Sequence, residues 1–170
     1  MPEILLDAEE VARRVEACAD ALLPLVDDET VVVCLLTGGL WFAADLTRAL
    51  ARRGVHPLFD CLWLASYGDA HSAGRVVERA GLQRPVDGRR VLVVDEVIDS
   101  GASLLAARRI CERAGACEVR IAVFASKPWP ETRDVTPDAV AWEAPGRFLV
   151  GYGMDDAGRL RGLPHVAALD

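Results

Sequence analysis

The sequence predicts an α/β protein, a mostly parallel sheet flanked by helices, and three observations carry that prediction. Short continuous apolar runs stand at residues 31–36 (V-V-V-C-L-L) and 91–94 (V-L-V-V), with a largely apolar run broken by Arg120 at 119–124, as expected of strands buried on both faces. The first two run into small Gly-containing turns and then into apolar residues at helical spacing. Strand, turn, helix and strand therefore succeed one another at the intervals of βαβ units, which pair their strands in parallel.

The elements are taken in chain order. Asp7 is placed to cap a first helix, and Glu10, three residues on, completes a capping-box-like pair. Val11, Val15, Cys18, Ala19 and Leu22 recur at helical spacing until Pro24 stops the pattern. The strand at 31–36 leads through Thr37-Gly38-Gly39 into a helix marked by Phe42, Leu46 and Leu50, ending near Gly54. Another apolar segment covers 58–65, whereas 66–81 is polar and reads as a long loop or flap. The strand at 91–94 gives way to a turn and a helix through Leu104, Leu105, Ala107 and Ile110, and 119–124 forms a fourth strand. Trp142 sits on a later strand as a packing residue. No repeat, low-complexity tract or linker divides the chain, so residues 1–170 read as one domain.

Composition narrows the function. With 52% hydrophobic residues the chain can bury a sizeable core. Its net charge of -7 argues against a nucleic-acid or membrane-surface binder, because phosphate backbones attract basic faces. A phosphorylated small molecule remains open, held at a local site or through Mg2+ on carboxylates. The cysteines (Cys18, Cys34, Cys61, Cys111, Cys117) are odd in number and lack C-x-x-C spacing, which suits buried reduced thiols in a reducing cytosol. The first residues are acidic where a signal peptide is basic, and no apolar run has membrane length. A soluble, cytoplasmic protein is expected.

The chemistry concentrates at residues 91–103, V-L-V-V-D-E-V-I-D-S-G-A-S. In parallel sheets ligands bind at the carboxyl ends of strands, where both this turn and Thr37-Gly38-Gly39 fall. Gly101 lets backbone approach a ligand, the helix start offers outward N–H groups, and Ser100 and Ser103 add hydroxyls, together a phosphate cradle without a lysine. The bland alternative is that a serine simply caps the helix. Asp95 and Glu96 shift the balance: adjacent like charges at a buried strand end repel unless they hold a sugar's hydroxyls or a Mg2+ ion. Asp99 adds a third carboxylate on the rim of the same turn.

This stretch resembles the phosphoribosyl-pyrophosphate (PRPP) signature of type I phosphoribosyltransferases: an apolar strand, two acids, two apolar residues, then Asp-Ser-Gly-x-Ser. The resemblance implies that fold, with a small base-binding hood from the C-terminal segment. It implies that Asp95 and Glu96 hold the ribose hydroxyls, directly or through Mg2+, and that Ser100, Gly101, Ala102 and Ser103 bind the 5-phosphate. Asp99 would be the catalytic residue, assisting proton transfer at the base.

Further segments look like the hypoxanthine-guanine phosphoribosyltransferases. Thr37, Gly38 and Gly39 fall at that family's pyrophosphate loop, and Ser66-Tyr67 at the start of its flexible loop. Lys127 falls at its 6-oxopurine lysine; a lysine, a donor without acceptor capacity, prefers an oxygen there to an amino group. The block from Pro137 to Asp155 is similar to its C-terminal block, with Phe148 as the stacking aromatic and Leu149, Val150 and Asp155 beside the base. Asp155, Asp95 and Glu96 would be the metal-side carboxylates, and Arg161 the planar fork for pyrophosphate. Taken singly, Lys127 reads as a surface lysine and Phe148 as core; their order and spacing behind a full PRPP signature give them these roles. His71, Arg75 and the arginines from 84 to 90 carry no assignment.

The resemblance implies Mg2+-dependent purine salvage, in which a 6-oxopurine and PRPP give a purine nucleoside monophosphate and pyrophosphate. It further implies homodimers or homotetramers, with no nucleic-acid or membrane partner. Thr37 departs from the pattern, since the family carries a basic residue before the two glycines. Trp41, a flap without an acidic cluster, and Gly146 where an acid often lies also depart. Two alternatives stay open: a catalytically weak PRPP- or nucleotide-binding regulator of the same fold, and an enzyme acting on xanthine or a pyrimidine.

Overall fold

Successive side chains on a strand point to opposite faces, and in this protein that alternation builds two cores. The computed structural model describes residues 2–67 and 75–169, and the side chain of Tyr67 is not among what it describes. From the predicted runs, Val32, Cys34, Leu92, Val94, Ala122 and Phe124 point into one core. Their neighbours Val31, Val33, Val91, Val93, Ile121 and Val123 point into the other.

The strands are β1 (Glu3–Leu6), β2 (Val31–Leu36), β3 (Leu58–Tyr67), β4 (Arg75–Ala80), β5 (Arg90–Ile98), β6 (Glu118–Ser126), β7 (Ala139–Glu143), β8 (Leu149–Val150) and β9 (Val166–Ala168). The helices are α1 (Ala8–Leu22), α2 (Leu40–Arg52) and α3 (Ala102–Arg113), and a short 3-10 turn, Leu23–Leu25, holds Pro24. Six strands form the main sheet in the order β4-β3-β2-β5-β6-β7. All neighbours pair in parallel except β3 with β4. Apolar residues of α1 and α2 fill the first core, and those of α3 the second.

Local signals explain most boundaries. The Asp7 carboxylate accepts from the Glu10 N–H at 2.8 Å, the expected cap. The Glu10 side chain turns instead to Arg14 at 2.8 Å and to Arg13, so the reciprocal half of the capping box does not form. Phe42 and Phe124 meet edge to face at 5.7 Å, and Phe124 packs on Tyr152 at 4.7 Å. Fully buried side chains of this size each contribute roughly 1.5–3 kcal/mol. Arg89 pairs with Glu29 at 2.8 Å and Arg90 with Asp27, fastening the entries of β2 and β5. Those two arginines had no assignment in the sequence.

Three features differ from or extend the expectation. The segment 66–81 is not one loop: Ser66 and Tyr67 extend β3, and Arg75–Ala80 forms the antiparallel edge strand β4. Mostly exposed, β4 needs no continuous apolar run, so the sequence does not announce it. The flap expectation for residues 68–74, including His71, lies outside the described residues. The small antiparallel sheet, β1-β9-β8, joins both ends of the chain, and β1 completes what the C-terminal segment begins. An ion pair of 2.6 Å between Glu3 and Arg147 ties β1 to the approach to β8.

All five cysteines are unpaired; Cys18, Cys34 and Cys111 are buried as expected, whereas Cys61 is half-buried and Cys117 exposed. Burial pushes the thiols of Cys18 and Cys111 up to about 11 and that of Cys34 higher still. Among the described residues, no helix is long and apolar enough to cross a membrane.

The architecture fixes where a ligand can enter. β2 and β5 lie side by side, yet β2 runs into α2 on one face and β5 into α3 on the other. The two exits diverge and open a crevice at the carboxyl ends, the topological switch point of an open α/β sheet.

Candidate functional site

Two turns line the crevice, and an arch backs them. The first turn, Thr37-Gly38-Gly39, closes tightly on its neighbours. A Cβ at Gly38 would lie 1.9 Å from Glu96 Oε1, and one at Gly39 would lie 2.7 Å from the Leu35 carbonyl oxygen and 2.9 Å from that of Val94. The first turn is thus glycine-built because Glu96 and the end of β5 occupy the space of a side chain. The Leu36–Thr37 peptide is cis.

The second turn starts where β5 ends. Asp95 and Glu96 are its last polar positions, and the Glu96 N–H donates to Asp95 Oδ1 at 3.0 Å. Burial, and after it the adjacent Glu96 charge, push the Asp95 carboxyl well above the usual carboxylate range. Gly101 adopts the left-handed conformation (φ 84°) as N-cap of α3, and the Ala102 N–H donates to Ser100 Oγ at 3.3 Å. Ser100 thus accepts from the first residue of the helix, but the N-cap itself is Gly101, which has no side chain to cap with. The 12-residue helix α3 still aims its first N–H groups and positive dipole end at the crevice.

The arch spans Gly151, Tyr152 and Gly153, three consecutive left-handed residues at φ 90°, 47° and 97°. Tyr152 is held there by its ring on Phe124 and by a 2.9 Å hydrogen bond from its hydroxyl to Asp45. A Cβ at Gly153 would come within 2.1 Å of the Gly38 carbonyl oxygen, so arch and first turn touch. Beyond it, Asp155 accepts from the Gly158 N–H at 2.6 Å and pairs with Arg161 at 2.7 Å. Arg161 also donates to the Gly153 carbonyl at 2.5 Å and lies 4.0 Å from Glu96.

The crevice has three connected lobes. One, of about 250 Å³, is lined by Ser66, Asp95 and Glu96 and by the turn through Asp99, Ser100, Gly101, Ala102 and Ser103. A second, about 360 Å³, lies among Thr37, Gly38, Ser66, Ser103, Asp155 and Arg161 with the same acid pair. The third, about 180 Å³, lies among Asp99, Lys127, Phe148, Leu149, Met154 and Asp155. Glu96 lines all three. In the third lobe Lys127 Nζ stands 3.2 Å from Asp99 Oδ1, and Phe148 is 50% exposed, an unusual state for a phenylalanine with a core nearby.

The structure thus gathers nearly all the residues singled out in the sequence. Val150 and Gly39 do not line the lobes, and the Tyr67 side chain lies outside the described residues; Val150 is fully buried in β8, paired with Ala167. Its neighbour Leu149 is also buried, in the first core, yet borders the third lobe. Gly39 acts as the N-cap of α2, behind the surface of the second lobe. Met154 lines the third lobe without having been predicted; its only signal was an apolar residue between Gly153 and Asp155.

The donor set suits a hard cation. Asp95 and Glu96 are adjacent carboxylates in a partly desolvated cleft, and the raised Asp95 carboxyl marks the cost of leaving them without a counter-charge. Among the described residues no three Asp, Glu, His or Cys side chains converge as a preformed cage. The Asp95 and Glu96 pair could supply the one or two carboxylates that Mg2+ takes beside substrate phosphates and water.

Comparison with known proteins agrees with this geometry. The phosphoribosyl transferase domain model matches residues 4–157. The hypoxanthine-guanine phosphoribosyltransferase of Bacillus subtilis is 31% identical over 169 residues, covering 98% of this chain and 92% of that protein. The hypoxanthine phosphoribosyltransferase of Salmonella typhimurium is 32% identical, covering 96% and 93%. Among solved structures, a hypoxanthine-guanine phosphoribosyltransferase of Bacillus anthracis superimposes with a TM-score of 0.87 at 28% identity, over 99% of this chain and 98% of that one. The Trypanosoma cruzi hypoxanthine phosphoribosyltransferase, in complex with its product IMP, gives 0.86 at 26% identity, over 99% and 94%. A domain match over most of the chain, relatives at about 30% identity along nearly their whole length and solved structures of the same fold agree, and the chain belongs to the phosphoribosyltransferase family, among the hypoxanthine-guanine phosphoribosyltransferases.

Proposed function

We propose that this chain, as one domain spanning residues 1–170, transfers the 5-phosphoribosyl group of PRPP to a 6-oxopurine, releasing pyrophosphate and a nucleoside 5'-monophosphate. The observation that carries the reading is the Asp99–Lys127 pair, 3.2 Å apart, in which Asp99 borders both the phosphate cradle and the lobe where Lys127 meets an exposed phenylalanine.

In this reading the first lobe takes the 5-phosphate on the backbone N–H groups and hydroxyls of Ser100, Gly101, Ala102 and Ser103, with Asp95 and Glu96 on the ribose hydroxyls. The second lobe takes pyrophosphate. Thr37 brings no charge there, so the backbone of Thr37, Gly38 and Gly39 and the guanidinium of Arg161 do the binding. Asp95, Glu96 and Asp155 are the residues that would hold Mg2+, which would neutralise phosphate charge. The third lobe takes the base flat against Phe148, with Lys127 on the 6-oxo oxygen. Purine N9 then attacks the anomeric carbon as the bond to pyrophosphate breaks, through an oxocarbenium-like state of the kind sugar transfer generates. Asp99 accepts the proton that the purine ring sheds, a contribution of about 10²–10⁴-fold in typical enzymes. Ser66 and Tyr67, at the end of β3, begin the segment that would cover the cleft and limit hydrolysis.

A homodimer or homotetramer, and a reducing cytoplasmic location consistent with five unpaired thiols, belong to the same reading. The test is a panel assay with PRPP and Mg2+, following 5'-monophosphate formation from hypoxanthine, guanine, xanthine, adenine and uracil. Products from 6-oxopurines alone are expected; product from adenine or uracil at comparable rates would overturn it.

A further inference from the structure

The parallel ladder between β5 and β6 runs in register as far as Ile98 opposite Ser126. It stops one residue short of the two side chains that face each other across the third lobe, Asp99 and Lys127. Past the last rung, the Lys127 N–H still reaches the Ile98 carbonyl at 3.1 Å. Beyond that bond the two chains fork instead of pairing. The connection from β6 to β7 doubles back beneath the second turn, and Arg133 projects from it toward the open end of the ladder. Its Nε donates to the Asp99 carbonyl at 2.6 Å, and its Nη2 donates to the Lys127 carbonyl and, at 3.4 Å, to that of Ile98. One guanidinium therefore ties together the main chains that carry Asp99, the general base of the proposed reaction, and the base-side lysine.

The same connection meets the cradle. A Cβ at Gly101 would lie 2.7 Å from Val135 Cγ1 and 3.8 Å from Arg133 Cδ, and Val135 is buried at 3% exposure. The hydrophobic stem and Val135 thus support the phosphate turn, while the guanidinium spans Asp99 and Lys127. Arginine suits this task because its donors form a rigid planar fork and it carries no acceptor to compete for them.

We propose that Arg133 is a positioning residue that sets the separation of Asp99 and Lys127 by clamping their carbonyls. The inference rests on the reading of those two side chains as the base-side groups. It predicts a kinetic signature that a general stabilising role would not give. Arg133→Ala lowers kcat with hypoxanthine by about 10²-fold, the loss that a misplacement near 1 Å brings. The KM for PRPP stays within about threefold, because Val135 still backs the phosphate turn and uniform binding is untouched. Guanidinium added at non-denaturing concentrations restores turnover to Arg133→Ala and leaves the wild-type protein unaffected. Arg133→Lys, which keeps one charged donor but no fork, folds with an unchanged Tm and has a lowered kcat; it carries the test if the alanine variant does not fold. Wild-type kcat in either folded variant overturns the proposal. So does a loss in PRPP affinity equal to that in kcat without rescue by guanidinium. Wild-type protein that turns over no base at all instead defeats the functional reading, and the two failures are told apart by that control.

Discussion

Substituting alanine at Gly38 and Gly39 separates site geometry from fold stability, because two adjacent glycines face different obstacles. At Gly38 the new methyl would lie 1.9, 2.2 and 2.5 Å from Oε1, Cδ and Oε2 of Glu96, all atoms at the end of a side chain. Ordinary contact begins at 3.4 Å, so the Glu96 carboxylate must retreat by about 1.5 Å. At Gly39 the methyl would meet main chain, the carbonyl oxygens of Leu35 and Val94 and the Asp95 Cα at 3.2 Å, none of which moves without shifting a strand. Gly38→Ala should therefore keep its Tm within a few degrees yet lose about 10²-fold in kcat/KM for PRPP, as displacements of that size do. Gly39→Ala should lose about 1–3 kcal/mol of stability, typical of overpacking, read as a Tm fall of roughly 2–4 °C per kcal/mol. The assays are thermal melting and steady-state kinetics at saturating purine. A Gly38→Ala protein with wild-type kcat/KM refutes the claim that Glu96 sits against the first turn and matters there.

The same geometry has other testable consequences. Asp99→Asn should keep its melting temperature and lose about 10²–10⁴-fold in kcat, the range for a single proton-transfer group; near-normal turnover would remove it from the mechanism. Lys127→Met should cost 6-oxopurines about 10–100-fold in kcat/KM, the worth of a charged hydrogen bond, while the KM for PRPP holds; equal losses for both substrates would give the lysine another task. Asp95 has its folded carboxyl raised by burial and by Glu96, so its charge destabilises the fold above that raised value, and the cost is relieved as pH falls through it toward the unfolded one. Asp95→Asn should accordingly raise the Tm of the ligand-free protein at neutral pH by roughly 2–4 °C for each kcal/mol relieved, with the gain shrinking on acidification and Mg2+-dependent PRPP binding weakened. A lower Tm at neutral pH would contradict that sign.

How much the sequence disclosed depends on how local each feature is. Residues 91–103 were legible in full because strand, acid pair, cradle and helix start are contiguous, and each has its own residue chemistry. The main parallel strands were equally plain, since burial on both faces demands continuous apolar runs. The edge strand β4 had no such demand. Strands β1 and β9 take their partners from opposite ends of the chain, a pairing no short window contains. Tyr152 was hidden for another reason: the glycines around it suggest a turn, but its own left-handed backbone is sustained by Phe124 and Asp45, distant in sequence. Arg133 was silent because it acts on carbonyls, which every residue has. Val150 shows a limit of the reverse kind: its side chain is buried, so a role beside the base is left to its main chain, which the residue type does not announce.

The most direct test of phosphoribosyl transfer is the stoichiometry of products when the purified protein meets PRPP, Mg2+ and hypoxanthine together. One pyrophosphate should be released for each nucleoside 5'-monophosphate formed, with neither appearing when the base or PRPP is left out. PRPP bound without any monophosphate formed, or pyrophosphate released without base, would contradict it.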